Sequence, residues 1–405
     1  YALACLLLLA TARPAGAAWP SLEEVWRASR ERAPGSVRAQ SETWLARAEG
    51  TGARESSFHN PTLRIGADHG VGRTPVGASA GLAATGELGV PVELSGQRSA
   101  RIRSADALVA WRERQQAAAE GQAGGEAVVA YGQALVARAR VDLASEAEQQ
   151  AESEVAWFEA RTQAGDATAV DRSLAQSELA RHAQSRAEAQ IDLIQAEADL
   201  RALTGLMDLT EPPDEPLALP PSAGTRPARA DAAAGSPGIE AFTRESTYWE
   251  REVDEAKATR WSPVEISVSG GQDEFGQIRL GGALGWSFPL LRRNDGEIAR
   301  AAAASSRARA DREALLRALE ATVHGLQERM TRTVEAVTEL DHAGIPAAEG
   351  LVSATDAAFR AGKLELVRVL NARRDLALMR GRRLDLVAGG WRAYGDLASI
   401  LGVLP

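Results

Sequence analysis

The 405-residue chain holds a single cysteine, Cys5, and it sits in the N-terminal apolar run. Intramolecular disulfides and cysteine-ligated zinc or iron–sulfur centres are therefore excluded. Lysine is nearly absent, with only Lys257 and Lys363, and 46 basic residues face 55 acidic ones for a net charge of −9. No basic surface dominates, which argues against a nucleic-acid partner. Aromatic residues make up 5% of the chain, too few for a thick globular core. After residue 17 no run of eighteen apolar residues occurs, so no helical membrane span is expected. What is present is abundant alanine and 25% charged residues, the composition of long helices.

The segment from Tyr1 to Ala10 is almost wholly apolar and is followed by Ala15-Gly16-Ala17, a small-x-small site for cleavage before Ala18. Residues 1–17 are expected to be a signal peptide with a truncated start, since no Met or basic n-region precedes them. The mature chain is then exported and free of cysteine. Seven of the 17 prolines fall between Pro212 and Pro237, marking 208–236 as a linker between two halves, 18–207 and 237–405.

The halves repeat one another. Ala164-Gly165-x4-Val170-x4-Ala175-x3-Leu179-Ala180 recurs as Ala361-Gly362-x4-Val367-x4-Ala372-x3-Leu376-Ala377, an offset of 197. Val90-Pro91 returns as Phe288-Pro289, and Leu63-x-Ile65-x-Ala67 as Val264-x-Ile266-x-Val268, with offsets drifting only to 198 and 201. Such drift is what a duplication with small insertions leaves. Each half reads as helix, two strands, long helix, tight turn, helix. In the first, Ser21 caps a helix expected to run to about Ser57, strands follow near 61–71 and 79–94, and a helix over about 97–163 returns after Gly165 to about Leu203. At 1.5 Å per residue that long helix spans roughly 100 Å, more than a globular domain. The second half predicts a helix over about 237–260, strands near 263–273 and 276–291, a rod over 295–360, a turn at Gly362 and a helix to about Leu401. Gly121, Gly124, Gly125 and Gly132 interrupt the first rod with no sequence-level explanation.

The strands alternate strictly. Leu82, Ala84, Gly86, Leu88, Val90, Val92 and Leu94 share one face, and Ile278, Leu280, Gly282, Leu284, Trp286, Phe288 and Leu290 match them, with Thr85, Glu87, Glu93, Gln277, Arg279 and Ser287 between. A half-buried sheet in a soluble domain would give one such strand. Two pairs of them, long enough to cross a bilayer and flanked by very long helices, predict a membrane β-barrel. Four strands cannot close a barrel, so several chains must share one.

The short chemical motifs in the sequence have bland readings. Gly77-Ala78-Ser79-Ala80-Gly81 has the nucleophile-elbow spacing, but a strand follows where a helix is needed, so it reads as a loop. Glu339-x2-His342 has no second copy and reads as a solvated helix face. His59 and His69 read as exposed strand-end residues rather than ligands, and His182 and His324 have no partner that spacing identifies. Met207, Met330 and Met379 are too scattered for a methionine relay. No catalytic residue, cofactor or metal site is expected, and the chain reads as a non-enzyme.

An exported, duplicated chain with two strand pairs, each leading into a hairpin with a glycine tip, resembles the TolC-type outer membrane factors over residues 20–402. Asn60-Pro61 and Leu94-Ser95-Gly96-Gln97-Arg98-x-Ala100-Arg101 look most like members serving cobalt, zinc and cadmium efflux. The resemblance implies a mainly α fold with membrane β-strands. It also implies a homotrimeric α-helical tunnel with a shared 12-stranded barrel in outer membrane lipid. The implied partners are a periplasmic adaptor and an inner-membrane pump of the resistance-nodulation-division type. The function implied is a passive exit duct, for heavy-metal cations or, alternatively, for drugs or a type I secreted polypeptide. A periplasmic adaptor fits less well, since adaptors normally have one hairpin embedded in lipoyl and β-barrel domains and this chain has two hairpins with paired alternating strands. A coiled-coil scaffold would have no use for the alternating strands. The resemblance places adaptor contacts at the tips, Arg161, Gly165, Asp166, Arg360, Gly362 and Lys363. Relatives narrow the periplasmic entrance just past the second tip with aspartates, where this chain has Arg368 and Asn371. Asp171 keeps an acid in the first repeat, and an Asp171–Arg368 pairing is expected as the gate, against the alternative that Arg368 points to solvent.

Overall fold

The computed structural model describes residues 19–74, 77–165, 167–207, 209, 217–221, 233–273, 277–291 and 293–405. The expected signal peptide with Cys5, most of the proline-rich linker and the tip residue Asp166 lie outside them. In chain order the elements are α1 (Leu22–Arg32), α2 (Pro34–Ala53), β1 (Thr62–Thr74), β2 (Gly77–Val92), α3 (Gln97–Ala164) and α4 (Ala169–Thr204). There follow α5 (Pro237–Ala258), β3 (Val264–Gln272), β4 (Ile278–Gly285), α6 (Asp295–Glu339), a π-turn over Leu340–Gly344, α7 (Ile345–Arg360) and α8 (Leu366–Leu401).

Ser21 is the N-cap expected of it, in a capping box with Glu24. The single helix expected from Ser21 to about Ser57 is corrected to two. Ala33 takes φ −59° and ψ 142°, because a residue before proline is driven out of the helical region, and Pro34 then opens α2. The second rod is likewise divided. Pro346 has no N–H to give to the i−4 carbonyl, and the helix absorbs this by widening to a π-turn, in which the Ile345 N–H reaches back to Leu340 O.

The chain folds as two compact units. One combines Tyr1–Arg38, Ala117–Pro237 and Leu316–Pro405. Its core gathers Val25, Trp26, Val128, Leu200, Val387, Trp391 and Tyr394. The unexplained glycines of α3 belong here. A Cβ on Gly125 would stand 2.4 Å from the carbonyl oxygen of Gly395, and one on Gly132 would stand 2.3 Å from Trp391 Cβ. Gly125 lets α3 and α8 touch backbone to backbone, while Gly132 and Gly124 leave room for the side chains of Trp391 and Trp26. Part of the linker also packs here, with Trp391 Nε1 donating to Ala218 O at 3.1 Å.

The other unit, Ala39–Gln116 with Gly238–Leu315, carries the sheet. Its four strands are antiparallel in the order β1-β2-β3-β4. Gly77-Ala78-Ser79-Ala80-Gly81, expected to be a loop, is strand instead: Gly77 pairs Thr74 and Gly81 pairs Gly70 at the head of the β1/β2 ladder. The fourth strand ends at Gly285, short of the expected 291. Trp286 leaves the ladder to stack on Trp261 at 5.4 Å, and beyond it a Leu290 N–H to Phe288 O bond of 2.9 Å folds the segment.

Candidate functional site: a two-faced sheet and two glycine tips

The register assembles the alternation of each strand into two continuous faces. Leu63 stands opposite Leu88, which stands opposite Val268, and Val90, Ile266 and Leu284 form the next row. These apolar residues face outward and uncovered: Ile65 is 81% exposed, Leu280 84% and Leu284 77%. In water such a surface is a liability, and in lipid it is the solvent-matched side.

The opposite face is polar. Arg64 stands across from Glu87 at 3.6 Å and reaches Glu265 on β3 at 3.5 Å. Gly89 makes that reach possible, since a Cβ there would lie 2.7 Å from Glu265 Oε1.

Below the sheet, the motif around Gly96 joins strands to helices. Gly96 adopts φ +78°, open to glycine without strain. Gln97, buried, donates to Trp261 O at 2.7 Å. Arg98 donates to the carbonyls of Glu55 and Arg54 at 2.8 and 3.0 Å. Arg101 donates to Glu93 at 2.8 Å, whose other neighbour is His59 at 3.2 Å. The structure thus gives His59 to Glu93 and places His69 ten residues further along, opposite Leu82, so the two histidines do not meet. Deeper in this unit Ser104 bonds Glu252. Burial, and then the Glu252 charge, raise the Glu255 carboxyl above its ordinary 4.5.

Both tips lie in the other unit. Gly362 takes φ +70°, and bonds from Gly362 N to Phe359 O and from Lys363 N to Ala358 O, both 2.9 Å, close a Schellman turn. Gly165 takes φ +80°, and α4 starts with a Thr168–Asp171 capping box. Phe158, Ala175 and Leu366 form one small core with Phe359 against it, so the two turns stand side by side. Arg161 lies over the Trp157 ring at 4.7 Å, whereas Arg360, Gly362 and Lys363 are exposed. Of the gate residues, Asp171 turns its carboxylate back on Thr168. Arg368 and Asn371 are exposed. Within one chain the structure brings Asp171 and Arg368 into no ion pair among the described residues.

Sequence reasoning missed the charged cleft above the tips, of about 540 Å³, formed by α3, α4, α7 and α8. Arg373 bridges Glu154 and Asp356, the latter at 2.9 and 3.0 Å. Burial lowers Arg373 and raises Asp356 from their ordinary values. His182 in the same cleft is lowered, by burial first and then by the Arg181 charge. Only helix packing brings these residues together, so no local spacing announced them. His324 and His342 are exposed along the second rod, Met207 is exposed just beyond the end of α4, and Met330 is buried in the core.

An antiparallel sheet with one lipid-compatible face, two open edges and hairpins ending in glycine turns is the build of a channel subunit. Residues 38–206 match the family described as "Outer membrane efflux protein". The cobalt-zinc-cadmium resistance protein CzcC of Cupriavidus metallidurans is 25% identical over 325 residues, 78% of this chain and 77% of that one. Among solved structures, a membrane protein from Pseudomonas aeruginosa superposes with TM-score 0.77 at 18% identity, covering 97% of this chain and 95% of that one. CusC does so at 0.75 and 15%, covering 94% and 92%. VceC of Vibrio cholerae gives 0.75 and 17%, covering 94% and 96%. Over residues 38–206 the chain matches the outer membrane efflux proteins, and over nearly its whole length it has the fold of these solved structures. It is a channel component of the outer membrane, extending into the periplasm.

Proposed function

We propose that the chain is the passive exit duct of a three-part efflux system for transition-metal cations. It works as a homotrimer whose twelve strands close one barrel. A periplasmic adaptor and an inner-membrane pump of the resistance-nodulation-division type complete the system, and the pump supplies the energy. The observation that carries this is the uncovered apolar face running unbroken to both free edges of the sheet, with Ile65 and Leu284 among its most exposed residues. Unpaired backbone at a sheet edge is not tolerated in hydrocarbon, which favours further copies as the partners.

Cations as cargo are supported by the likeness to a protein named for cobalt, zinc and cadmium resistance and by the net charge of −9. The duct reading also takes the chain as a duplication, 18–207 and 237–405 around a linker at 208–236, behind a signal peptide at 1–17. Arg161, Gly165, Asp166, Arg360, Gly362 and Lys363 form the adaptor contact. Asp171, Arg368 and Asn371 line the periplasmic gate, where an Asp171 of one copy meets an Arg368 of another.

Deleting the gene and restoring it on a plasmid tests the cargo. Tolerance to zinc, cadmium and cobalt should fall severalfold and recover, with tolerance to organic antibiotics unchanged. The reverse pattern would make the duct one for organic compounds.

A further inference from the structure

Among the described residues, the order β1-β2-β3-β4 leaves β1 and β4 without outer partners. Three antiparallel pairings make β4 run opposite to β1, so β4 of one copy can continue the antiparallel ladder along β1 of the next. Helix α2 enters β1 after a short connection, and α6 leaves β4 after another. Any joint between these edges therefore brings α2 of one copy beside α6 of its neighbour.

The two helices carry complementary surfaces. On α2, Trp44 and Leu45 are 58% and 59% exposed, a large apolar pair on a helix outside the sheet. On α6 the exposed positions include a row of small residues, Ala303, Ser306, Ala310 and Ala314, with Arg307 and Arg317 beside it. Contacts inside this unit fix the heights. Thr43 donates to Arg112 O at 3.4 Å, Arg114 pairs Glu240 at 3.0 Å, and Arg312 donates to Thr243 at 2.9 Å. Stepping across these rungs from α2 through α3 and α5 to α6 puts Trp44 level with Ala310 and Ala314.

We propose that Trp44 and Leu45 dock on the small-residue face of α6 of a second copy of this chain, around Ala310. This joint continues the strand-to-strand seam below the barrel. A protruding aromatic received by a row of alanines packs as a knob into a hole, and burying both exposed side chains drives the contact. The proposal rests on the shared-barrel reading above.

The test is cross-linking of the full chain, with Cys5 replaced by Ser, in outer membrane fractions under mild oxidant. Trp44→Cys combined with Ala310→Cys should give disulfide-linked dimers and trimers on non-reducing gels. Trp44→Cys alone, or combined with Ala308→Cys, whose side chain is 1% exposed within its own chain, should not. Light scattering on the detergent-purified protein gives the assembly state independently. A trimer without the 44–310 link overturns this interface and leaves the shared barrel standing. A monomer overturns both. Since Trp44 is exposed in the protomer, its replacement does not empty a core, and Trp44→Asp should lower the trimer's heat resistance while strand content is retained.

Discussion

At Gly132 and Gly125 a hydrogen in place of a methyl decides how near two helices stand. A Cβ on Gly132 would overlap the Trp391 side chain at 2.3 Å, and overpacking of this kind costs about 1–3 kcal/mol. Gly132→Ala should therefore lower the denaturation midpoint by several degrees, whereas Gly350→Ala, with open space around it, should not. The four glycines of α3 were visible in the sequence and their reason was not, because Trp391 is remote along the chain and no local pattern names the partner. The junction motif was half legible: its residues stood out, while the roles of Arg98 as donor to the carbonyls of Arg54 and Glu55 and of Arg101 as the partner of Glu93 needed the fold. Glu255 adds a pH-dependent effect. Burial and Glu252 raise its folded pKa above 4.5, so as pH rises through the interval between these values the unfolded chain releases its proton first and stability falls. Glu255→Gln should be more stable than the parent at pH 7, with the difference vanishing below pH 4.5, as thermal melts across pH would read directly.

Elements were the most legible scale, since alternation in strands and freedom from proline in long helices are properties of contiguous residues. β1, β2, α3 and α4 fall within a few residues of expectation. Departures have local causes: Pro34 splits the first helix, Pro346 forces the π-turn, and the fourth strand stops where Trp286 turns to Trp261. The loop expected at 77–81 is strand because small residues that fit a turn also fit a ladder whose faces need no bulk. Orientation of the sheet yields a sharp contrast between two substitutions. Leu284→Arg places a charge on the apolar face, at a cost of about 2–4 kcal/mol if it lies near the bilayer midplane, and should sharply reduce the amount of assembled protein in outer membrane fractions. Ser269→Arg, on the polar face, should assemble normally. Equal yields of the two would mean that the apolar face does not meet lipid.

For the whole molecule, the fold and the outer membrane location were legible because two strand pairs and two glycine tips occur in a fixed order along the chain. The gate and the adaptor contacts were less so. They depend on which side chains of different copies approach one another, and within one chain Asp171 already serves as the partner of Thr168. If Arg368 restricts the entrance, Arg368→Ala should raise conductance about twofold or more, and Asp171→Ala should do likewise. Equal conductance in all three proteins would remove this pair from the gate. The central claim is that copies of this chain form a continuous water-filled duct, and its most direct test is planar-bilayer recording of the purified, unmodified full chain. The account predicts discrete, long-lived conductance steps from a trimeric sample, with cations preferred over anions in a salt gradient. A trimer that inserts yet never conducts, or protein that leaves the bilayer silent because it stays monomeric, would contradict it.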